Sequence, residues 1–287
     1  MKDLIKEIRN SINMSQSEFA EKIGVSFATV NRWENGRAVP NRMAQSRIYS
    51  ICVEHDVPLN EIILKKIDTQ VAGIKLDKDR QILYHGSKSG ISGKIKPISR
   101  EHCDFGKGFY MGTDVSQALT LICDYEDSKL YIVSIDMRIL EQIEIPTDIE
   151  WAMLVAYNRG KMEAINGTDF YNKYKDVTKG KDIVIGCIAN DRMFYVIDNF
   201  FQGSITDAAL VNSLSVLQLG KQYVAVSQKA CDAVHIEKEI ELSYLERLAI
   251  SDVSSTNREN GISLSNDICK DYRREGLFFD EILDKAK

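Results

Sequence analysis

Tyr84-His85-Gly86-Ser87 and, after a polar loop, Asp104-Phe105-Gly106-Lys107-Gly108-Phe109-Tyr110-Met111-Gly112 are the stretch around which the chain is organised. The apolar triplet Ile82-Leu83-Tyr84 reads as a strand that carries His85 to its end. Two glycines around Lys107 let the backbone approach a ligand closely or take a positive φ, and an apolar strand resumes at Phe109-Tyr110-Met111. The expectation is two strands facing each other across a pocket, with His85 and Tyr110 on its walls.

At 287 residues the chain has room for two domains with sizeable cores, and 44% hydrophobic with 28% charged residues is the balance of a globular protein. A net charge of -5 excludes a wholly basic nucleic-acid coat protein but leaves room for a local basic patch. Six scattered cysteines form no CxxC pair, so they read as buried free thiols in a reducing cytosol, with no metal expected. No signal-peptide pattern opens the sequence, and no stretch approaches the ~18 apolar residues of a membrane span. These features predict a cytoplasmic protein with no membrane contact.

Toward the N-terminus, Leu4, Ile5, Ile8 and Ile12 recur at helical spacing. Ser15 with Glu18 is a capping box opening a second helix, Gly24 ends it, and Ser26 caps a third through Val30 and Trp33. Two short helices joined by a glycine turn make a helix-turn-helix. The run Met14-Ser15-Gln16-Ser17-Glu18-Phe19-Ala20, with Gly24, Trp33-Glu34-Asn35-Gly36-Arg37 and Pro40, resembles the DNA-binding domain of the Cro and lambda-repressor family. That resemblance implies Gln16 against a phosphate, Phe27, Ala28, Thr29, Asn31 and Arg32 toward base edges, and Arg37 near the backbone. The other reading is a helical bundle for dimerisation or for docking a partner protein.

Beyond the opening stretch, apolar runs predict a helix from Ser116 to Tyr125 capped by Asp114, a strand over Leu130 to Ile135, and a helix from Ile149 to Tyr157. A buried strand from Asp182 to Ala189, a helix or irregular turn over Phe194 to Phe200, a helix capped by Thr206 and a last strand from Gln222 to Val226 follow. Strands not evenly interleaved with helices argue an α+β fold. Divided by composition, residues 1–66 are the helix-turn-helix domain, 67–80 a linker, 81–240 the mixed sheet domain and 241–287 a helical extension. Within that extension Ser251 to Ser265 reads as a loop and Ile268 to Ile282 as a terminal helix.

No phosphate-loop or dinucleotide fingerprint is present, since Gly106-x-Gly108 lacks the third glycine. The sheet domain instead resembles the ADP-ribosyltransferase superfamily, in the His-Tyr-Glu branch that includes the poly-ADP-ribose polymerases and diphtheria toxin. The resemblance is carried by Tyr84-His85-Gly86-Ser87, by Gly106-Lys107-Gly108-Phe109-Tyr110 and by Gln222-Tyr223-Val224-Ala225-Val226. It implies a split-sheet fold, NAD as co-substrate and transfer of ADP-ribose to a macromolecule. His85 would bond ribose hydroxyls, the Gly86 backbone would grip the nicotinamide carboxamide, and Tyr110 would stack on the ring. Ser87, Gly108 and Asp191 are further NAD contacts on this reading, and Tyr125 stands in for a stacking aromatic whose place Leu121 occupies. Two departures matter: Gln222 replaces the glutamate and Ala118 a serine. A neutral amide keeps a hydrogen bond but is no base, so mono-ADP-ribosylation is expected rather than chain elongation.

The whole chain thus predicts a bacterial mono-ADP-ribosyltransferase with a DNA-binding domain, in the manner of a toxin of a toxin-antitoxin or phage-defence pair. Its expected partners are DNA and a protein or nucleic-acid acceptor, and an antitoxin or a homodimer partner is compatible with it. The alternatives are a regulator whose degenerate transferase domain senses NAD, and a transferase delivered to DNA that modifies a base.

Overall fold

The computed structural model describes residues 1–188, 191–216, 220–272 and 274–285. The fold is α+β: a bundle of five helices precedes a mixed sheet flanked by helices. The bundle comprises α1 (Lys2–Ser11), α2 (Gln16–Ile23), α3 (Phe27–Glu34), α4 (Arg42–Glu54) and α5 (Leu59–Ala72). Its turns follow from local chemistry. Ser15 Oγ accepts from the Glu18 amide while the Glu18 carboxylate accepts from the Ser15 amide, a complete capping box. Gly24 then takes φ +82°, a left-handed value that reverses the chain into α3 without a Cβ penalty.

Among the described residues, seven strands form one sheet in the order β4-β5-β6-β2-β1-β3-β7. They are β1 (Arg80–Ser87), β2 (Phe109–Gly112), β3 (Lys129–Asp136), β4 (Gln142–Glu144), β5 (Ile183–Cys187), β6 (Lys221–Ala225) and β7 (Val234–Glu241). The central strands run antiparallel to their neighbours, and only β4 pairs in parallel, on β5. The sheet consists of two halves. β1 pairs β3 along its whole length, from Arg80↔Asp136 to Ser87↔Lys129, whereas β1 and β2 share the single pair Tyr84↔Gly112. Past that pair the strands separate, and a cleft opens where a continuous ladder would have closed it.

Helices α6 (Val115–Thr120), α7 (Ile149–Asn158), α8 (Asp169–Asp176), α9 (Asp191–Phe201), α10 (Asp207–Val216), α11 (Gln228–Ala233), α12 (Tyr244–Tyr272) and α13 (Phe279–Lys285) cover the sheet. One core joins the two parts of the chain. Phe19, Ile48, Ile63 and Ile67 of the bundle pack in the same apolar cluster as Leu119 and Ile122 behind the cleft and Leu245 and Ile250 of α12. The join also has polar contacts: Lys66 pairs with the buried Glu246 at 2.7 Å, and the Leu245 amide donates to Gln45 Oε1 at 2.9 Å.

Several expected elements change. α5 runs on to Ala72 because Ile67 is buried in the shared core, so the first residues assigned to a linker are helical. The helix begun by Ser116 stops at Thr120 and gives way to turns before Tyr125. β7 is an additional strand, rich in Glu and Lys, that pairs with β3 as the sheet's edge. The Ser- and Asn-rich stretch from 251 to 265 is helix, the middle of α12. There Ser255 and Thr256 turn their hydroxyls back onto the carbonyls of Ser251 and Asp252, while Ala249, Ile250 and Ser254 are buried. The expected terminal helix is in consequence divided: Ile268 and Tyr272 belong to α12, and Ile282 to α13.

Candidate functional site

The cleft is built at the split in the sheet. β1 delivers His85 and Gly86, β2 delivers Tyr110, α6 supplies Gln117 and Ala118, and β6 contributes Gln222 from across the sheet through the pair Gly112↔Gln222. These residues, with Leu121 and Ile188, line a cavity of about 110 Å³. A larger cavity of about 430 Å³ adjoins it and shares Gly86, Tyr110, Gln117, Leu121 and Gln222.

His85 takes the place of the missing ladder. Its Nδ1 lies 2.6 Å from the Tyr110 carbonyl, so Nδ1 carries the proton and donates, leaving Nε2 as an acceptor. The ring stacks on Phe109 with centroids 4.2 Å apart. Burial pushes the imidazole below its ordinary pKa against the opposing pull of the carbonyl bond, which keeps it neutral near pH 7.

Tyr110 is held by its own loop. Its hydroxyl donates to the Gly106 carbonyl at 2.7 Å and accepts from the Phe105 amide at 3.1 Å. Burial raises the phenol's pKa, and with its hydroxyl bound to the loop Tyr110 lines both cavities. The loop in turn is tied to the end of α7: Arg159 donates to Asp104 at 3.0 and 2.7 Å, and Asn158 to the Asp104 carbonyl at 3.0 Å.

Gln222 is buried, and its Nε2 donates to the Cys187 carbonyl at 2.9 Å, which orients the amide. Gln222 lines both cavities, and among the described residues its Oε1 has no protein donor. Burial lifts the Cys187 thiol to about 12, which holds it protonated beside the Gln222 amide.

The glycines divide by role. A Cβ on Gly86 would lie 2.5 Å from the Ala118 carbonyl, so glycine is what lets α6 close over β1 while the Gly86 backbone lines the cleft. Gly108 is demanded instead by contact with Val224 and the Ala225 carbonyl on β6, which places it against a strand and outside the cavity lining. Ser87 pairs with Lys129 at the end of β1 and is likewise not among the lining residues. Tyr125 lines the larger cavity, its ring covered by the Lys88 ammonium 4.0 Å from the centroid. The side chain of Asp191 lies outside what is described. Sequence reasoning missed Gln117 and the lining residues Lys88, Arg100, His102 and Arg258, which lie outside the motifs that carried the reading.

At the other end of the chain, α3 leaves Phe27, Ala28 and Arg32 exposed and Thr29 and Asn31 half-buried, with Arg37 exposed beyond it. Gln16 is committed within the domain: its Nε2 donates to Glu34 at 2.6 Å and its Oε1 accepts from Asn31 at 3.4 Å. A helix-turn-helix family model matches residues 5–45, and the chain carries a DNA-binding domain of that type. No curated protein and no solved structure matches the chain. The cleft and its walls fall within residues 81–236, which match the family described as protein of unknown function (DUF3990), and to that family the chain belongs.

Proposed function

We propose that the chain is an NAD-dependent mono-ADP-ribosyltransferase whose acceptor is a macromolecule, working beside a DNA-binding domain. The observation that carries this reading is the convergence of His85, Gly86, Tyr110 and Gln222 on one cleft at the split between β1 and β2, although Gln222 is far away in sequence. Nicotinamide enters the narrow cavity, with its ring on Tyr110 and its carboxamide at the Gly86 backbone. His85 Nε2 and Gln222 Oε1 each accept a hydrogen bond from a ribose hydroxyl.

The bond from the ribose to the nicotinamide nitrogen breaks with its electron pair leaving on nicotinamide. The oxocarbenium-like ribose is then captured by the acceptor's nucleophile, which loses its proton to solvent or to a group of its own. The neutral acceptors, Gln222 Oε1 and His85 Nε2, stabilise that cation by their dipoles, a weaker effect than a carboxylate gives. Neither accepts the acceptor's proton, which is why single transfers are favoured over polymer growth. Labelled NAD incubated with separate protein, DNA and RNA pools should mark one of them. If no pool is labelled and no nicotinamide is released, the transferase reading fails.

A second reading rests on the shared core. α6 presents Gln117 and Ala118 to the cleft, while its Leu119 joins the cluster that holds the helix-turn-helix bundle. A regulator that binds NAD without turnover would show a DNA affinity that shifts on adding NAD.

A further inference from the structure

Capture of a ribose cation by an alcohol, an amine or water sets a proton free, and the Gln222 amide is no base for it. The larger cavity adjoins the place of that step, because Gly86, Tyr110 and Gln222 belong to the walls of both cavities. Most groups on its wall that could take a proton are engaged. Asp104 accepts from Arg159 at 3.0 and 2.7 Å, Asp124 Oδ1 lies 3.3 Å from Ser251 Oγ, and Cys103 Sγ donates to the Arg100 carbonyl at 3.4 Å. His102 lines the same wall, is exposed, and its ring makes no hydrogen bond or ion pair among the described residues.

The place of His102 is imposed by its surroundings. Its φ of +59° is a left-handed value that a non-glycine residue seldom takes. The loop holds it there from both sides: beyond the Cys103 bond to Arg100, the Gly106 amide donates to the Cys103 carbonyl at 3.0 Å, and Asn158 donates to the Asp104 carbonyl at 3.0 Å. The ring rests on the turn that follows α7, where Cε1 and Nδ1 lie 3.7 and 3.8 Å from the position a Cβ on Gly160 would occupy. Backbone strain kept by anchors on two segments, beside a cavity, is a mark of a side chain held for use.

We infer that His102 is the general base for the acceptor, an inference that rests on the transferase reading for the reaction itself. The acceptor's lone pair forms the bond to the anomeric carbon of the ribose, and the bond to nicotinamide breaks with its electron pair leaving on nicotinamide. The acceptor's proton passes to a ring nitrogen of His102, which returns it to solvent. Histidine is the side-chain type suited to proton exchange near neutral pH, and an exposed one meets an acceptor arriving from solution. The acceptor class follows: its nucleophilic atom bears a proton when it attacks, as a hydroxyl or a nitrogen does. A carboxylate has no proton to lose and no use for the base.

The test is nicotinamide release from NAD by the full chain, wild type and His102→Asn, with water, methanol and azide as nucleophiles. Asparagine tolerates the left-handed backbone and cannot take the proton. Water and methanol must each lose a proton on capture, whereas azide is an anion with none to lose. His102→Asn is expected to slow release in water and in methanol about a hundredfold, the scale of general base catalysis. Azide should bring the variant back to the rate of azide-supplemented wild type, with ADP-ribosyl azide as product, which a structural defect would not allow. Equal rates of wild type and variant in water and methanol overturn the inference and leave the transferase reading standing, as does a slowed variant that azide does not restore. Wild type that releases no nicotinamide with any of the three nucleophiles ends the transferase reading and the inference together.

Discussion

Two polar clusters in this chain are built from similar side chains and end in opposite states. Around Glu34 in the helix-turn-helix bundle, the carboxylate accepts from Arg9 at 2.6 and 3.1 Å and from Gln16 at 2.6 Å, and Arg9 also donates to the Met14 carbonyl at 2.7 Å. Glu34 and Arg9 are mostly buried, and the network closes on itself. In the cleft, His85 and Gln222 both line the cavity and are each anchored through one polar atom, to the carbonyls of Tyr110 and Cys187, while the second atom of each has no protein partner among the described residues. A closed cluster fixes a fold. A half-open one, held rigidly by its anchored half, is a preorganised set of acceptors awaiting a ligand's donors.

The contrast is broken most severely at the closed cluster. Glu34→Ala leaves the Arg9 guanidinium and the Gln16 amide without their shared acceptor, and loss of one partner from such a buried pair costs about 3 kcal/mol. Chemical denaturation should show the midpoint falling with the slope unchanged, and DNA affinity falling only as far as the bundle unfolds. An unchanged midpoint would mean that the cluster is no more than a surface pair.

His85→Ala acts on the open cluster and should separate function from stability. The structure loses a ring stacked on Phe109 and one hydrogen bond, about 1–2 kcal/mol. Loss of the acceptor at Nε2 and of the bridge to Tyr110 should lower kcat/KM for NAD about a hundredfold, equivalent to about 2.7 kcal/mol in the transition state. Tyr110→Ala belongs with it, through the stacking face. Wild-type NAD turnover in both variants would remove the cleft from the reaction.

Gln222→Glu sharpens the comparison from the other side. A carboxylate offers the ribose cation a full charge, so turnover should rise about tenfold. It also places an acceptor against the Cys187 carbonyl where an amide now donates, so stability should fall by about 1–2 kcal/mol. Measuring both in one variant tells whether glutamine is kept for rate or for structure. A gain in stability would show that the bond to Cys187 is not what orients residue 222.

The two clusters also differ in how far the sequence disclosed them. Ser15, Glu18, Gly24 and Ser26 act on neighbours within three residues, so the caps and turn of the bundle are local and were legible. Gly86, Tyr110 and Gln222 were legible because resemblance supplied the long-range pairing that periodicity cannot. β7 was not, because its alternation of Glu and Lys is that of a solvated edge and only pairing with β3 identifies it as strand. The middle of α12 was hidden by weak helix formers whose hydroxyls bond back to their own turn, and whose helix is decided by tertiary packing. The larger cavity brings Lys88, Arg100 and Arg258 together from three segments, a juxtaposition that no spacing rule encodes.

The smallest effect is expected where the two halves meet, at Lys66 and Glu246. Burial opposes ionisation of Glu246, but Lys66 and the bonds from Ser243 outweigh it and hold the carboxyl below its ordinary value. A carboxylate with a depressed folded pKa gives stability that is present above the unfolded value, about 4.3, and is lost as pH falls through the folded pKa. Glu246→Gln should therefore be less stable than wild type near pH 7 by about 1 kcal/mol, a modest figure because the Lys66 end of the pair is solvated. The gap should narrow as the pH is lowered below about 4. Denaturation of both proteins across that range distinguishes an ion pair, whose contribution titrates away, from a packing defect, which would persist at every pH. Since this pair belongs to the same join that carries α6 and α12, the variant should also loosen any effect that a ligand in the cleft exerts on DNA affinity.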